Sequence, residues 1–89
     1  MQYMVIERFR DGCIQDVYRR FNERGRLAPE GLHYIASWID EGLTTCYQVM
    51  ECEDRSLIDT WIANWCDLVE FEVIPVINSA EAAKRAELL

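Results

Sequence analysis

The sequence predicts an α+β fold in which a four-stranded antiparallel sheet carries two helices on one face. Three observations predict it. Four segments are short and rich in β-branched and aromatic residues, two segments carry apolar residues at helical spacing, and turn residues punctuate them in the order βαββαβ.

Gln2 to Phe9 is too short and too rich in Val, Ile and aromatic residues for a helix, so it reads as the first strand, closed by Asp11 and Gly12. Asp11 is placed to cap the next segment, where Ile14, Val17, Tyr18 and Phe21 form one face and Arg19, Arg20, Asn22 and Glu23 the other. Gly25 supplies the helix stop, and Leu27 to Gly31, with Pro29, reads as a loop. Leu32 to Asp40 and Thr44 to Cys52 form a hairpin about a tight turn at Glu41-Gly42. Asp54 is a candidate N-cap for a second amphipathic helix whose stripe is Leu57, Ile58, Trp61, Ile62 and Trp65. Leu68 to Ile77 is the fourth strand, and Pro75, lacking an N–H, places it at a sheet edge. Asn78 and Glu81 have the spacing of a capping pair ahead of a short Ala-rich terminal helix.

The split βαβ order is that of a ferredoxin-like sandwich with strand order 4-1-3-2 and both main helices on one face. The chain of 89 residues reads as a single domain, 1–89, too short for two cores. Hydrophobic residues at 51% and charged residues at 28% exclude a disordered chain.

Nine Lys+Arg against sixteen Asp+Glu give a net charge of −7, a field that repels phosphate backbones, so no nucleic-acid partner is expected. Six Arg lie before residue 31 and read as a solvated helix face; Arg19, Arg20 and Arg24 on an otherwise acidic body are the alternative, a surface for an acidic protein. No apolar run approaches the ~20 residues that span a bilayer, and Met1 leads into Glu7 and Arg8 without a signal-peptide pattern. A cytoplasmic protein with no membrane partner is the expectation. Cys13, Cys46, Cys52 and Cys66 form no C-x-x-C pair and read as reduced core thiols. With a single His the chain implies no metal site, and no Gly-rich phosphate loop or other signature implies a cofactor.

Both parities of the strands are apolar, so both sheet faces need cover. The helices cover one, and a second copy packed sheet against sheet is the expected cover of the other. In strand four Val69, Phe71 and Val73 face the helices, which leaves Glu70 and Glu72 on the open face; Glu7, His33, Ser37 and Gln48 are further candidates for it. His33, Glu70 and Glu72 are the candidate acid–base residues. Tyr34, Trp38 and Tyr47 are candidate walls of an aromatic pocket, and Glu7, Tyr34, Trp38 and Gln48 the candidate ligand-binding set. The leading expectation is a homodimeric small-ligand-binding or accessory domain. The alternative is a cofactor-independent monooxygenase-like or isomerase-like enzyme with its site on the open sheet face.

The segments Met1 to Phe9 (MQYMVIERF), Asp16 to Phe21 (DVYRRF), Ser37 to Asp40 (SWID) and above all Trp65 to Val76 (WCDLVEFEVIPV) resemble a bacterial family of small domains of unknown function. The resemblance implies a dimeric α+β barrel of the ferredoxin-like type. That class also holds stress-responsive barrel proteins and small cofactor-free monooxygenases, but the resemblance carries over no catalytic residue.

Overall fold

The computed structural model describes residues 1–89 and has the element order expected: β1 (Gln2–Phe9), α1 (Ile14–Arg24), β2 (His33–Ile39), β3 (Thr45–Glu51), α2 (Ser56–Ala63), β4 (Val69–Val76) and α3 (Ser79–Glu87). The sheet is antiparallel throughout, in the order β2-β3-β1-β4. Pro75 accordingly lies on an edge strand, where a missing donor costs no ladder bond. This is the ferredoxin-like α+β fold.

Register assigns the two faces. Tyr3 opposes Met50 and Pro75, Val5 opposes Gln48 and Val73, and Glu7 opposes Cys46 and Phe71, so these residues share one side. That side is covered: Tyr3, Val5 and Met50 join Leu32, Cys52, Ile58, Trp61 and Trp65 in the core, with Phe71 and Val73 packed against it. Both indole N–H groups, of Trp61 at 3.0 Å and Trp65 at 2.8 Å, donate to the carbonyl oxygen of Arg26, and Asn64 Nδ2 donates to that of Leu27 at 3.1 Å. The loop after α1 is thereby fastened to α2. Leu27 sits in the left-handed region at φ 61°, a strain that these bonds hold in place.

Helix α1 is held differently. None of its residues is buried. Arg20 ties it to the turn after α2 through a two-pronged pair with Asp67 at 2.9 and 2.7 Å and a bond to the Asn64 carbonyl at 2.8 Å. The apolar stripe of α1 therefore stands over the sheet with space beneath it.

Local departures from the expected pattern have simple causes. Gly12, at φ 74°, turns the chain between Asp11 and the helix, so Cys13 takes the N-cap position and no side chain caps α1. In the hairpin it is Leu43 rather than Gly42 that adopts a left-handed conformation, at φ 60°. Asp40 closes this turn by accepting from the N–H groups of Thr44 and Thr45, each at 2.7 Å. Asp54 accepts from Ser56 N–H at 2.9 Å one residue before the α2 cap position, and α2 ends at Ala63, leaving Trp65 buried in the following turn. Asn78 caps α3 as expected, its side chain accepting from Glu81 N–H at 2.8 Å. Of the four cysteines expected in the core, Cys46 and Cys52 are buried, while Cys13 is half-buried at the start of α1 and Cys66 is exposed.

Candidate functional site

A cleft of about 220 Å³ opens between α1 and the covered face of the sheet. Its apolar walls come from Val17 and Phe21 of α1, Phe9 and Ile39 of the sheet, and Trp61 and Trp65 of α2 and its following turn. Its polar groups are Glu7, Tyr18, Arg26, Ser37, Cys46 and Gln48. Strand alternation explains the set: Glu7 is the one charged residue on the covered parity of β1, and Cys46 and Gln48 are its neighbours on β3.

Arg26 makes contacts through both its backbone and its side chain. Its backbone carbonyl holds both indoles, its Nε donates to Gln48 Oε1 at 3.2 Å, and its guanidinium carbon lies 3.8 Å from the Tyr34 ring centre and 5.2 Å from that of Phe21. Yet it joins none of the ion pairs of the molecule. A planar fork of donors is thus positioned at the cleft with no carboxylate in ion-pair contact.

Desolvation pushes the Glu7 carboxyl up to about 7, against the opposing pull of a hydrogen bond from Cys46 and the positive charge of Arg26. Burial also raises the Cys46 thiol, to about 12, with the charge of Glu7 and the hydrogen bond to it acting in the same direction. Cys46 therefore stays a protonated donor, a poor nucleophile. Burial raises Tyr18 above its ordinary value, and Cys46 and Glu7 add to the shift, so its phenol is neutral as well. Arg26 is therefore the one cationic side chain lining the cleft, beside a carboxyl pushed up to about 7.

The residues expected from the sequence divide between the two faces. Glu7, Tyr34 and Gln48 lie on the covered side with Ser37, not on the open one. Tyr34 is there because a β-bulge between Tyr34 and Ala36 resets the alternation of β2. Its hydroxyl pairs with Ser37 Oγ at 2.8 Å. Trp38 and Tyr47, paired across β2 and β3, are exposed on the open face, so the three aromatics do not share one pocket.

Glu70 and Glu72 do lie on the open face, where they pair with Arg10 at 3.2 Å and Arg8 at 3.1 Å. His33 is exposed at the far end of β2, on the opposite sheet edge from β4, so it does not meet either carboxylate. No motif or spacing in the sequence marks Arg26, Tyr18 or Cys46 as site residues. The usable signal was the lone carboxylate at Glu7 among the apolar residues of its parity, Tyr3, Val5 and Phe9.

No three His, Cys, Asp or Glu side chains converge so as to hold a metal ion, and no helix is long and apolar enough to cross a membrane. No curated protein and no solved structure matches the chain. A family model described as "Domain of unknown function (DUF3303)" matches residues 1–88, in keeping with the resemblance carried by the Trp65 to Val76 segment, and the chain belongs to that family.

Proposed function

We propose that this is a homodimeric small-ligand-binding domain that takes a small organic acid into the cleft under α1. The observation that carries the reading is Arg26, a guanidinium without an ion-pair partner lining an aromatic-walled cleft. A carboxylate satisfies its fork in a two-pronged bond, and an aromatic or aliphatic body fills the space between Phe9, Phe21 and Ile39. The volume of about 220 Å³ holds roughly seven waters at ~30 Å³ each, or a ligand of about a dozen non-hydrogen atoms.

The open face supports the second half of the reading. Ala36, Val49, Met4 and Ile74 form an unbroken apolar row across all four strands, and the next row presents Trp38, Tyr47 and Ile6. Trp38 is 61% exposed. Strands of seven or eight residues at ~3.3 Å rise and ~4.8 Å spacing give a flat area of roughly 450 Å², which side-chain relief brings toward the ~800 Å² per partner of a standard interface. The charged groups at its end, Arg8 with Glu72 and Arg10 with Glu70, are already paired, so a second copy meets no unbalanced charge there.

Calorimetric titration with phenylacetate tests the first half: the wild type should bind it, and Arg26→Met should weaken binding at least tenfold. Equal affinity in the two proteins contradicts the assignment. Sedimentation tests the second half, with a dimer expected for the wild type and a monomer for Val49→Lys. A compact wild-type monomer at micromolar concentration rules the pairing out.

A further inference from the structure

We propose that the cleft is a proton-transfer site: Glu7 takes a proton from the carbon next to the carbonyl of a small enolisable carboxylate, and Arg26 holds the oxygen that becomes negative. This rests on the cleft being the ligand site and adds chemistry to it.

The two groups are arranged for opposite tasks. Glu7 projects from the inner strand β1 near its C-terminal end and Arg26 from the loop fastened to α2, close enough for the charge of one to be felt by the other but not joined as an ion pair. Both line the same cleft, so a ligand lying in it meets a carboxyl and a guanidinium at once. A direct Glu7–Arg26 pair would quench both functions; their separation keeps the carboxyl available as a base and the fork available as an anion holder. Tyr18 and Cys46, both neutral donors lining the cleft, leave no second anion there to compete for Arg26.

In the step itself, a Glu7 oxygen forms a bond to the departing hydrogen while the carbon–hydrogen bond breaks. That electron pair becomes the carbon–carbon double bond, and the carbonyl π pair moves onto oxygen, where one N–H group of the Arg26 fork meets it while another stays on the neighbouring carboxylate oxygen. The proton on Glu7 then returns, to the same carbon or to the enolate oxygen. Nothing is oxidised or reduced and no co-reactant is consumed. A carboxyl whose value burial pushes up to about 7 suits both directions of this exchange.

Phenylpyruvate is the probe, since it carries a carboxylate, an adjacent ketone, an acidic methylene and an aromatic ring of the right bulk. The loss of its methylene proton signal in deuterium oxide is followed by NMR against a buffer blank. The wild type should exchange it faster than the blank, with a rate that rises through one ionisation near pH 7. Glu7→Gln should lower the protein-dependent rate by 10²-fold or more while phenylpyruvate still shifts the amide signals of the cleft. Exchange at the blank rate by a wild type whose cleft amides respond to the probe overturns proton transfer and leaves ligand binding standing. Exchange that survives Glu7→Gln overturns the role of Glu7. A cleft that responds to neither phenylpyruvate nor phenylacetate at millimolar concentration removes both readings.

Discussion

The guanidinium carbon of Arg26 lies 3.8 Å from the centre of the Tyr34 ring, stacked on an aromatic whose position depends on a bulge in β2. The contact joins the loop after α1 to the edge of the sheet and brings a cation and a carboxyl into one cleft. Removing the side chain tests its structural worth. Arg26→Met keeps the carbonyl that receives both indoles but loses the bond to Gln48 and the stacking on Tyr34 and Phe21. Stability should fall by about 1–2 kcal/mol, and thermal melting should drop by roughly 5–15 °C. An unchanged melting temperature would show that the stack contributes nothing.

Glu7 sets a pH dependence whose sign follows from its environment. The folded protein holds this proton more tightly than the unfolded chain, at about 7 against an ordinary 4.5. Between these values the native state carries the extra proton, so the contribution is full below pH 4.5 and is lost as pH rises through 7. At ~1.4 kcal/mol per unit the loss is roughly 3 kcal/mol at most, less where the cleft admits water. Denaturant melts of Glu7→Gln should stay flat over that window and lie above the wild type at pH 8. The acid limb persists in both proteins, because Thr44 with Thr45, Ser56 and Arg20 hold the carboxylates of Asp40, Asp54 and Asp67 below their usual range.

Trp61 and Trp65 share one acceptor, so their donors are coupled. In Trp61→Phe or Trp65→Phe the Arg26 carbonyl keeps one indole partner; in the double variant it has none from either. Each single change should cost about 1 kcal/mol, and the double should cost more than their sum by a further ~1 kcal/mol of unsatisfied buried carbonyl. Strict additivity in urea melts would mean that water or backbone replaces the lost donors.

Gly31 is required twice over. Its φ is 93°, and a Cβ there would stand 3.0 Å from Leu57 Cδ1. Gly31→Ala should therefore destabilise by more than 1 kcal/mol, and Leu57→Ala in the same chain should fail to restore the loss, since the backbone strain remains. Full recovery would assign the whole cost to the side-chain clash.

The sequence carried the element order because periodicity and turn residues are local signals: Gly25 stops α1, Asn78 caps α3, and Pro75 marks an edge strand. It carried less of the site. The bulge after Tyr34 depends on how β2 pairs with β3, and a pairing register is not visible in a single strand. Without that register Tyr34 and Trp38 share a parity, and Glu7 and Gln48 have no assigned face. Arg26 was hidden for another reason. Nothing distinguishes it from neighbouring arginines until the chain folds and two indoles from α2 and its following turn converge on its carbonyl.

The most direct measurement is a nitrogen–proton correlation spectrum of the wild type titrated with phenylacetate, in which every backbone amide reports its own surroundings. Shifts confined to Glu7, Tyr18, Arg26, Ser37 and Gln48 are the predicted result, with Trp38 and Tyr47 unmoved. Shifts confined to Trp38, Tyr47 and Val49 on the other side of the sheet would contradict it.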